Sequence, residues 1–344
     1  MRRCIQLAEL GAGNVSPNPM VGAVLVYNNQ IIGEGYHHEF GEAHAEVNCI
    51  KSVADLNQKF ISKSTLYVSL EPCAHFGKTP PCADLIIDNK IKKVVVGCTD
   101  SSEKVNGAGI NKLLAAGIKV DVGILENVCR NLNKRFFTFH TKKRPYIILK
   151  WAQSNDGFIA GKNHLITKIS NIYTDRIVHK WRTQEAAILV GANTVIMDNP
   201  LLTARNWSGK NPVRIIIDEQ LTLNENSNIF NDHAQTIIIN RKKNLPLKHL
   251  EFYQIISKKT FIEGILECLY HRQLNSVIIE GGSKTLQPFI DAGIWDEARV
   301  ITNTDLFLNA GLKSPVFSHQ KLNYSFNIFR DTIDIFQNNQ YDAL

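Results

Sequence analysis

The sequence has no run of roughly eighteen apolar residues, so it offers no segment that could cross a bilayer as a helix. It has no stretch of like charge longer than Lys142-Lys143-Arg144, and 39 basic against 32 acidic residues is a mild surplus. The first 143 residues carry 17 basic and 13 acidic side chains and the remainder 22 and 19, so neither half reads as a basic module. No nucleic-acid partner and no membrane partner is expected; a mild positive balance suits a small anionic substrate. The 21 Gly and 11 Pro of 344 residues follow no period, which excludes collagen-like chains. No Gly-x-Gly-x-x-Gly occurs, so the common dinucleotide fingerprint is absent. The opening MRRCIQLAEL is too short and too broken by Glu9 for a secretory apolar core, and a cytoplasmic location is expected. The first 150 residues contain no tryptophan; Trp151, Trp181, Trp207 and Trp295 all follow.

Cysteine shows the opposite asymmetry. Six of the seven (Cys4, Cys49, Cys73, Cys82, Cys98, Cys129) precede residue 130, and Cys268 stands alone. An odd count without a secretory leader argues for thiols or metal rather than disulfides. The two composition regimes, and a length of 344 residues, favour two domains.

Hydrophobic periodicity alternates between strand and helix throughout, the pattern of α/β sheets covered by helices. Helices are expected at 2–11, Ala43–Val53, Cys82–Asn89 and Gly107–Ala116, with strands at Val21–Val26, Ile31–Tyr36, Thr65–Leu70 and Lys93–Gly97. Asn28-Asn29 reads as a hairpin turn. The polar, basic, proline-ended stretch Thr138–Pro145 is the expected boundary. Beyond it, strands are expected at Tyr146–Trp151, Ala186–Gly191, Val213–Asp218, Thr236–Asn240, Ser276–Glu280 and Ala298–Thr302. Helices are expected around Thr174–Arg182, Phe261–His271 and Lys284–Ala292.

The sharpest chemical signal is His44-Ala45-Glu46 followed by Glu71-Pro72-Cys73-Ala74-His75-Phe76-Gly77-Lys78-Thr79-Pro80-Pro81-Cys82. One His and two Cys make three zinc ligands with one tetrahedral position open, the arrangement of a catalytic rather than a structural site. Water in such a position ionises near pH 7, and its proton needs a carrier. Glu46, two residues after His44 at a helix start, can reach that water without ligating the metal. Taken singly, Cys73 and Cys82 read equally well as buried thiols, and His44 as a core histidine. His75 is a competing ligand, less well placed than the two cysteines at element ends. A Glu beside a zinc site is the constellation of hydrolytic deaminases, whose usual second element is Pro-Cys-x-x-Cys. Here eight residues separate the cysteines.

That longer spacing is usual in one family. The run Pro17-Asn18-Pro19-Met20-Val21-Gly22-Ala23-Val24, then Gly33-Glu34-Gly35-Tyr36-His37, then Gly41-Glu42-Ala43-His44-Ala45-Glu46-Val47 and the loop EPCAHFGKTPPC resemble the bifunctional riboflavin-biosynthesis deaminase/reductases. The resemblance continues through Leu149-Lys150, Asp156-Gly157, Asp198–Arg205, Pro212–Asp218 and Asn275–Gly282, and so covers nearly the whole chain. It implies an α/β protein with an N-terminal cytidine-deaminase-like three-layer domain (1–141) and a C-terminal dihydrofolate-reductase-like domain (142–344). It implies zinc-dependent removal of the 2-amino group of a diamino-phosphoribosylamino-pyrimidinone, then reduction of its ribosyl group to ribityl by NADPH. One zinc per chain, a small phosphorylated pyrimidine as substrate and a homo-oligomer, dimer or tetramer, follow as expectations.

Residue by residue, the resemblance gives His44, Cys73 and Cys82 as zinc ligands and Glu46 as proton carrier. Asn18 and His37 would face the pyrimidine, and Lys78 would sit at the site mouth. Asp100 matches an acidic position of the substrate loop, although Ser102 replaces the usual Asn. In the second half Arg182 and Arg205 would contact the ribose phosphate, an anion that guanidinium forks suit, with Leu202 beside them and Glu280 near the ribosyl group. Gly281, Gly282 and Ser283, after a strand and opening a helix, would let backbone amides approach a cofactor phosphate. Ala152, Thr194 and Asp198 match other cofactor contacts. Lys168-Ile169-Ser170-Asn171 departs from a Trp-Ile-Thr-Ser-like stretch common in the family. Two other readings stay open at this level: a nucleoside or tRNA deaminase with a non-catalytic second half, and a non-enzymatic zinc module whose fourth ligand closes the site.

Overall fold

The computed structural model describes residues 1–76, 80–101, 106–162, 167–256, 259–317 and 320–339. Its chain divides into two units, Met1–Lys143 and Arg144–Leu344.

In the first unit, β1 (Gly22–Tyr27) and β2 (Gln30–Tyr36) form a hairpin. Asn28 and Asn29 turn it with φ of 47° and 61°, a left-handed pair that asparagine tolerates best among side-chain-bearing residues. β3 (Thr65–Leu70) runs antiparallel to β1; β4 (Lys93–Cys98) and β5 (Lys119–Val122) then add in parallel. The sheet order is β2-β1-β3-β4-β5. Side chains alternate across it, as the pleat requires. Ala23, Leu25, Leu66, Val68, Val94 and Val96 point to α2 (Ala45–Lys51), α3 (Cys82–Asp88) and α4 (Ala108–Ala115). The other face meets α1 (Arg2–Glu9), where Val24 packs with Cys4 and Leu7, and α5 (Glu126–Leu132); at the ends of β3 and β4, Leu70 and Cys98 pack with Ile5 and Cys129 of these helices. The result is three layers, helix on sheet on helix. All seven cysteines of the chain are free thiols.

The division after Lys143 falls within Thr138–Pro145, but most of that stretch is helical. Residues Lys134–Lys142 form a helix, α6, with Phe136, Thr138 and Phe139 buried, and the helix stops where Lys143 turns left-handed at φ 52°. The aromatic spacing of Phe136 and Phe139 outweighs the polar composition of the stretch.

The second unit is built on ten strands: β6 (Tyr146–Ser154), β8 (Ala187–Gly191), β9 (Val213–Ile217), β10 (Thr236–Asn240), β11 (Leu245–Pro246), β12 (Leu250–Gln254), β13 (Ser276–Glu280), β14 (Glu297–Asn303), β16 (Gln320–Ile328) and β17 (Asp331–Asn338). Their order is β11-β12-β10-β9-β8-β13-β6-β14-β17-β16, parallel from β12 to β14. A small ladder pairs β7 (Phe158–Gly161) with β15 (Gly311–Lys313). Central strands such as Ser276–Glu280 are buried along their whole length, which is why they read as continuous apolar runs. One face packs Ile147, Leu149 and Ile279 with residues of α9 (Phe261–His271) and α10 (Ser283–Asp291). The other packs Ile148, Ile188 and Ile278 with α7 (Ile172–Gln184) and with Val195 of α8 (Ala192–Asp198). The β16–β17 hairpin, β5, β7, β11, β12, β15, α5, α6 and α8 were not expected from the sequence pattern, and β6 extends three residues past Trp151.

Candidate active sites

His44 is the residue that caps the start of α2, in extended conformation, and its ring makes no capping hydrogen bond. It faces the cysteines instead. Cys73 follows β3 in a loop, and Cys82 opens α3 after Pro81. Cys73 Sγ lies 3.6 Å and Cys82 Sγ 3.3 Å from His44 Nδ1. An ion bound tetrahedrally at about 2.3 Å from sulfur and about 2.0 Å from nitrogen holds the two roughly 3.6 Å apart, so this donor set fits zinc in kind and in spacing. The three ligand atoms lie within 4.8 Å of one another, and among the described residues they form the one such His/Cys/Asp/Glu group. His75, the competing ligand, is exposed.

The surroundings favour a thiolate. The Cys82 backbone amide donates to Cys73 Sγ at 3.3 Å. Hydrogen bonding from the Cys82 thiol, and then from the His44 ring, pulls the Cys73 thiol well below its ordinary range. Glu46 lies in the first turn of α2 and is 3% exposed. Burial, reinforced by the Cys73 charge, raises its pKa, the condition under which a carboxylate can take and return a proton near neutral pH.

Asn18 and His37 come to the same place. His37 Nδ1 is 3.1 Å from the Ala43 carbonyl, and its Nε2 is 3.1 Å from Asn18 Nδ2. Nδ1–H therefore donates to Ala43, and Nε2 accepts from the Asn18 amide. Burial lowers the His37 pKa and keeps the ring neutral. Its ring meets that of His44 edge-on at 5.4 Å. Asp100 is buried at the end of β4. Lys78 and Ser102 lie outside the described residues.

In the second unit the carboxyl ends of parallel strands gather the remaining candidates, the place where open α/β sheets hold ligands. Gly281 follows β13 with φ 146°; a Cβ there would sit 3.3 Å from Thr194 Oγ1, so the two expected cofactor contacts are neighbours. Gly282 caps α10 without a side chain, and Ser283 Oγ donates to the Lys313 carbonyl. This glycine cradle before a helix N-terminus fits a phosphate-bearing cofactor. Ala152 lies on β6 and Asp198 at the exposed end of α8.

Arg182 is engaged differently from expectation. Its Nε and Nη2 each lie 2.9 Å from a Glu280 oxygen, and Nη1 donates to the Thr203 carbonyl at 3.1 Å. Lys150 Nζ reaches the same carboxylate at 3.4 Å. The fork is thus closed on a protein carboxylate, whereas Arg205 is exposed. Leu202, buried with φ 52°, precedes Thr203 and fixes that turn. Sequence reasoning missed His179. Burial, then the charges of Arg182 and Arg205, hold it at about 4, so it stays neutral among them. The three-residue spacing of His179 and Arg182 on one helix face was the available signal.

Comparison with known proteins now decides the family. Residues 1–98 match the cytidine and deoxycytidylate deaminase zinc-binding region, and residues 145–307 match the RibD C-terminal domain. The riboflavin biosynthesis protein RibD of Aquifex aeolicus is 41% identical over 301 residues, 86% of this chain and 83% of that protein. That of Actinobacillus pleuropneumoniae is 35% identical over 326 residues, 92% and 86%. The chain belongs to the RibD family. A crystal structure from Thermotoga maritima, of a diaminohydroxyphosphoribosylaminopyrimidine deaminase/5-amino-6-(5-phosphoribosylamino)uracil reductase, superposes with a TM-score of 0.90 at 37% identity, covering 98% of this chain and 97% of that one. RibD of Acinetobacter baumannii gives 0.86 at 29% identity, with 98% and 97% covered. The expected fold, a cytidine-deaminase-like domain followed by a dihydrofolate-reductase-like one, is the RibD architecture. This RibD chain is a bifunctional deaminase and reductase of riboflavin biosynthesis, with the zinc-binding deaminase domain and the reductase domain both present. The two alternative readings, a deaminase with an inert second half and a binding module, give way to it. The two domains point to zinc and NADPH in general terms. Among the described residues, no helix is long and apolar enough to cross a membrane.

Proposed function

We propose that Met1–Lys143 removes the 2-amino group of 2,5-diamino-6-(5-phosphoribosylamino)pyrimidin-4(3H)-one, and that the unit from Arg144 then reduces the ribosyl side chain to ribityl with NADPH. The convergence of His44, Cys73 and Cys82 beside the buried Glu46 carries the first half of this reading. One zinc per chain, held by those three residues, supplies Lewis acidity that lets water attack near neutral pH. Glu46 takes the proton of the attacking water and delivers it to the departing ammonia. Its burial, which raises its pKa, suits both transfers. Neutral His37, oriented by Ala43, and Asn18 hold the edge of the pyrimidine ring.

In the second unit, Gly281, Gly282 and Ser283 cradle the cofactor phosphates, with Thr194, Asp198 and Ala152 around the rest of NADPH. Arg205 pairs with the substrate phosphate beside Leu202. Arg182 acts by fixing Glu280 toward the ribosyl group, since its fork is already closed. Reduction of an opened sugar depends on positioning more than on a proton-transferring side chain. The test is Glu46→Gln: one zinc per chain should remain while ammonia release falls by at least about a hundredfold. Loss of the zinc in that variant would make Glu46 a ligand and overturn the assignment.

A further inference from the structure

Glu71 stands two residues before Cys73, at the end of β3, and has no part in the chemistry described above. It is 4% exposed. Such a carboxylate, buried close to the His44–Cys73–Cys82 group, would ordinarily compete with Glu46 for the role of proton carrier. Its hydrogen bonds exclude that. Oε2 accepts from the backbone amides of Asp100 and Gly107, each at 3.1 Å. Oε1 accepts from the amides of Gly109 at 3.0 Å and Ile110 at 3.3 Å. Four donors occupy both oxygens, so no lone pair is left to receive a proton from substrate or water.

The four amides come from two separate places. Gly109 and Ile110 belong to the first turn of α4, whose capping residue, Gly107, has no side chain to serve them. A carboxylate from a distant strand end does what a local Ser or Asp would do, and its charge suits the helix N-terminus. Asp100 and Gly107 are the points where the chain leaves β4 and enters α4; one oxygen ties both. The same junction is closed from a second side. The Pro72 carbonyl lies so near Gly109 that a Cβ on that glycine would sit 1.8 Å from the oxygen. The segment Glu71-Pro72-Cys73 is further pinned by Glu71 N–H to the Cys98 carbonyl at 3.0 Å, and by Ala83 N–H to the Cys73 carbonyl at 3.1 Å.

We infer that Glu71 is a positioning residue of the deaminase site: its carboxylate, clamped by the α4 amides and by Gly109 against Pro72, sets where Cys73 presents its sulfur. The inference rests on Cys73 being a metal ligand, as proposed above. It differs from a bland structural role in what it moves. A group that merely stabilises the unit changes its melting temperature. A group that aims a ligand changes how long the metal stays and how fast the reaction turns over well below that temperature.

The experiment uses the full-length, zinc-loaded chain. Glu71→Gln keeps the shape of the side chain but leaves one oxygen to serve four amides. Gly109→Ala keeps the carboxylate and pushes on Pro72 from the other side. For both variants, zinc release to excess chelator, deaminase kcat and KM, and reductase turnover of the supplied deaminated intermediate are measured at 20 °C. Residues that orient a metal ligand typically change metal affinity or activity about 10–100-fold when altered. Both variants should release zinc at least about tenfold faster and lose a comparable factor in deaminase kcat, with reductase turnover within about twofold of the parent. Zinc release and kcat like the parent in either variant would overturn the inference. So would parallel loss of both activities, which would mark Glu71 as a general folding residue. Absence of zinc from the parent chain would instead remove the ligand assignment beneath it.

Discussion

Glu280 offers a test of the reductase site that does not require substrate. Burial alone would push its carboxyl up, but the charges of Arg182 and Lys150 and their hydrogen bonds hold it down at about 2, against an ordinary 4.5. Each pKa unit corresponds to about 1.4 kcal/mol, so the ionised carboxylate contributes on the order of 3 kcal/mol to the folded unit near pH 7. The sign follows from the depressed value. The contribution is complete above the unfolded pKa of 4.5 and is lost as pH falls toward 2. By pH 3 it should have dropped to about 1.5 kcal/mol. Glu280→Gln removes the charge with little change of shape and leaves Arg182 and Lys150 buried without their anion. All four tryptophans lie beyond residue 150, so their fluorescence during urea unfolding reports the second unit selectively. The variant should be less stable by about 3 kcal/mol at pH 7, and the gap should shrink by roughly half at pH 3. Equal stability at pH 7, or a gap that does not narrow in acid, would refute the reasoning that these cations serve Glu280.

Arg205→Ala should raise the reductase KM for the phosphorylated substrate about 10–100-fold, the loss of one charge-assisted pair, with ammonia release unchanged; steady-state kinetics in both assays checks it. Gly281→Ala places a methyl 3.3 Å from Thr194 Oγ1 on a backbone at φ 146° and should raise the KM for NADPH at least about tenfold, read by NADPH titration of the reductase step. NADH at the same low concentration should reduce the intermediate far more slowly than NADPH; equal rates would remove NADPH from the account.

The convergence of His44, Cys73 and Cys82 was legible because these residues are concentrated in short segments. His44-Ala45-Glu46 and the flanks of the Cys73–Cys82 loop sit where strands end and helices begin, and the turn signals there are strong. Strands buried on both faces, such as Thr236–Asn240 and Ser276–Glu280, were equally plain. The C-terminal hairpin was not. β16 is exposed along almost its whole length, so its Leu322, Tyr324 and Phe326 follow no burial rule that sequence can show. α6 was hidden by the polar, basic composition of Lys134–Lys142, in which Phe136, Thr138 and Phe139 are the buried residues. The partners of Arg182 were hidden for another reason. A guanidinium suits a phosphate and a carboxylate alike, and only the fold, which brings Glu280 to it across 98 residues, decides between them.

The central claim is that one chain runs two reactions at two separate sites. It is tested most directly by His44→Ala, assayed for ammonia release from the diamino substrate and, separately, for NADPH oxidation with the deaminated intermediate supplied. The account predicts that ammonia release disappears while NADPH oxidation continues within about twofold of the parent chain. Ammonia release that survives the substitution, or NADPH oxidation that vanishes with it, would contradict the account.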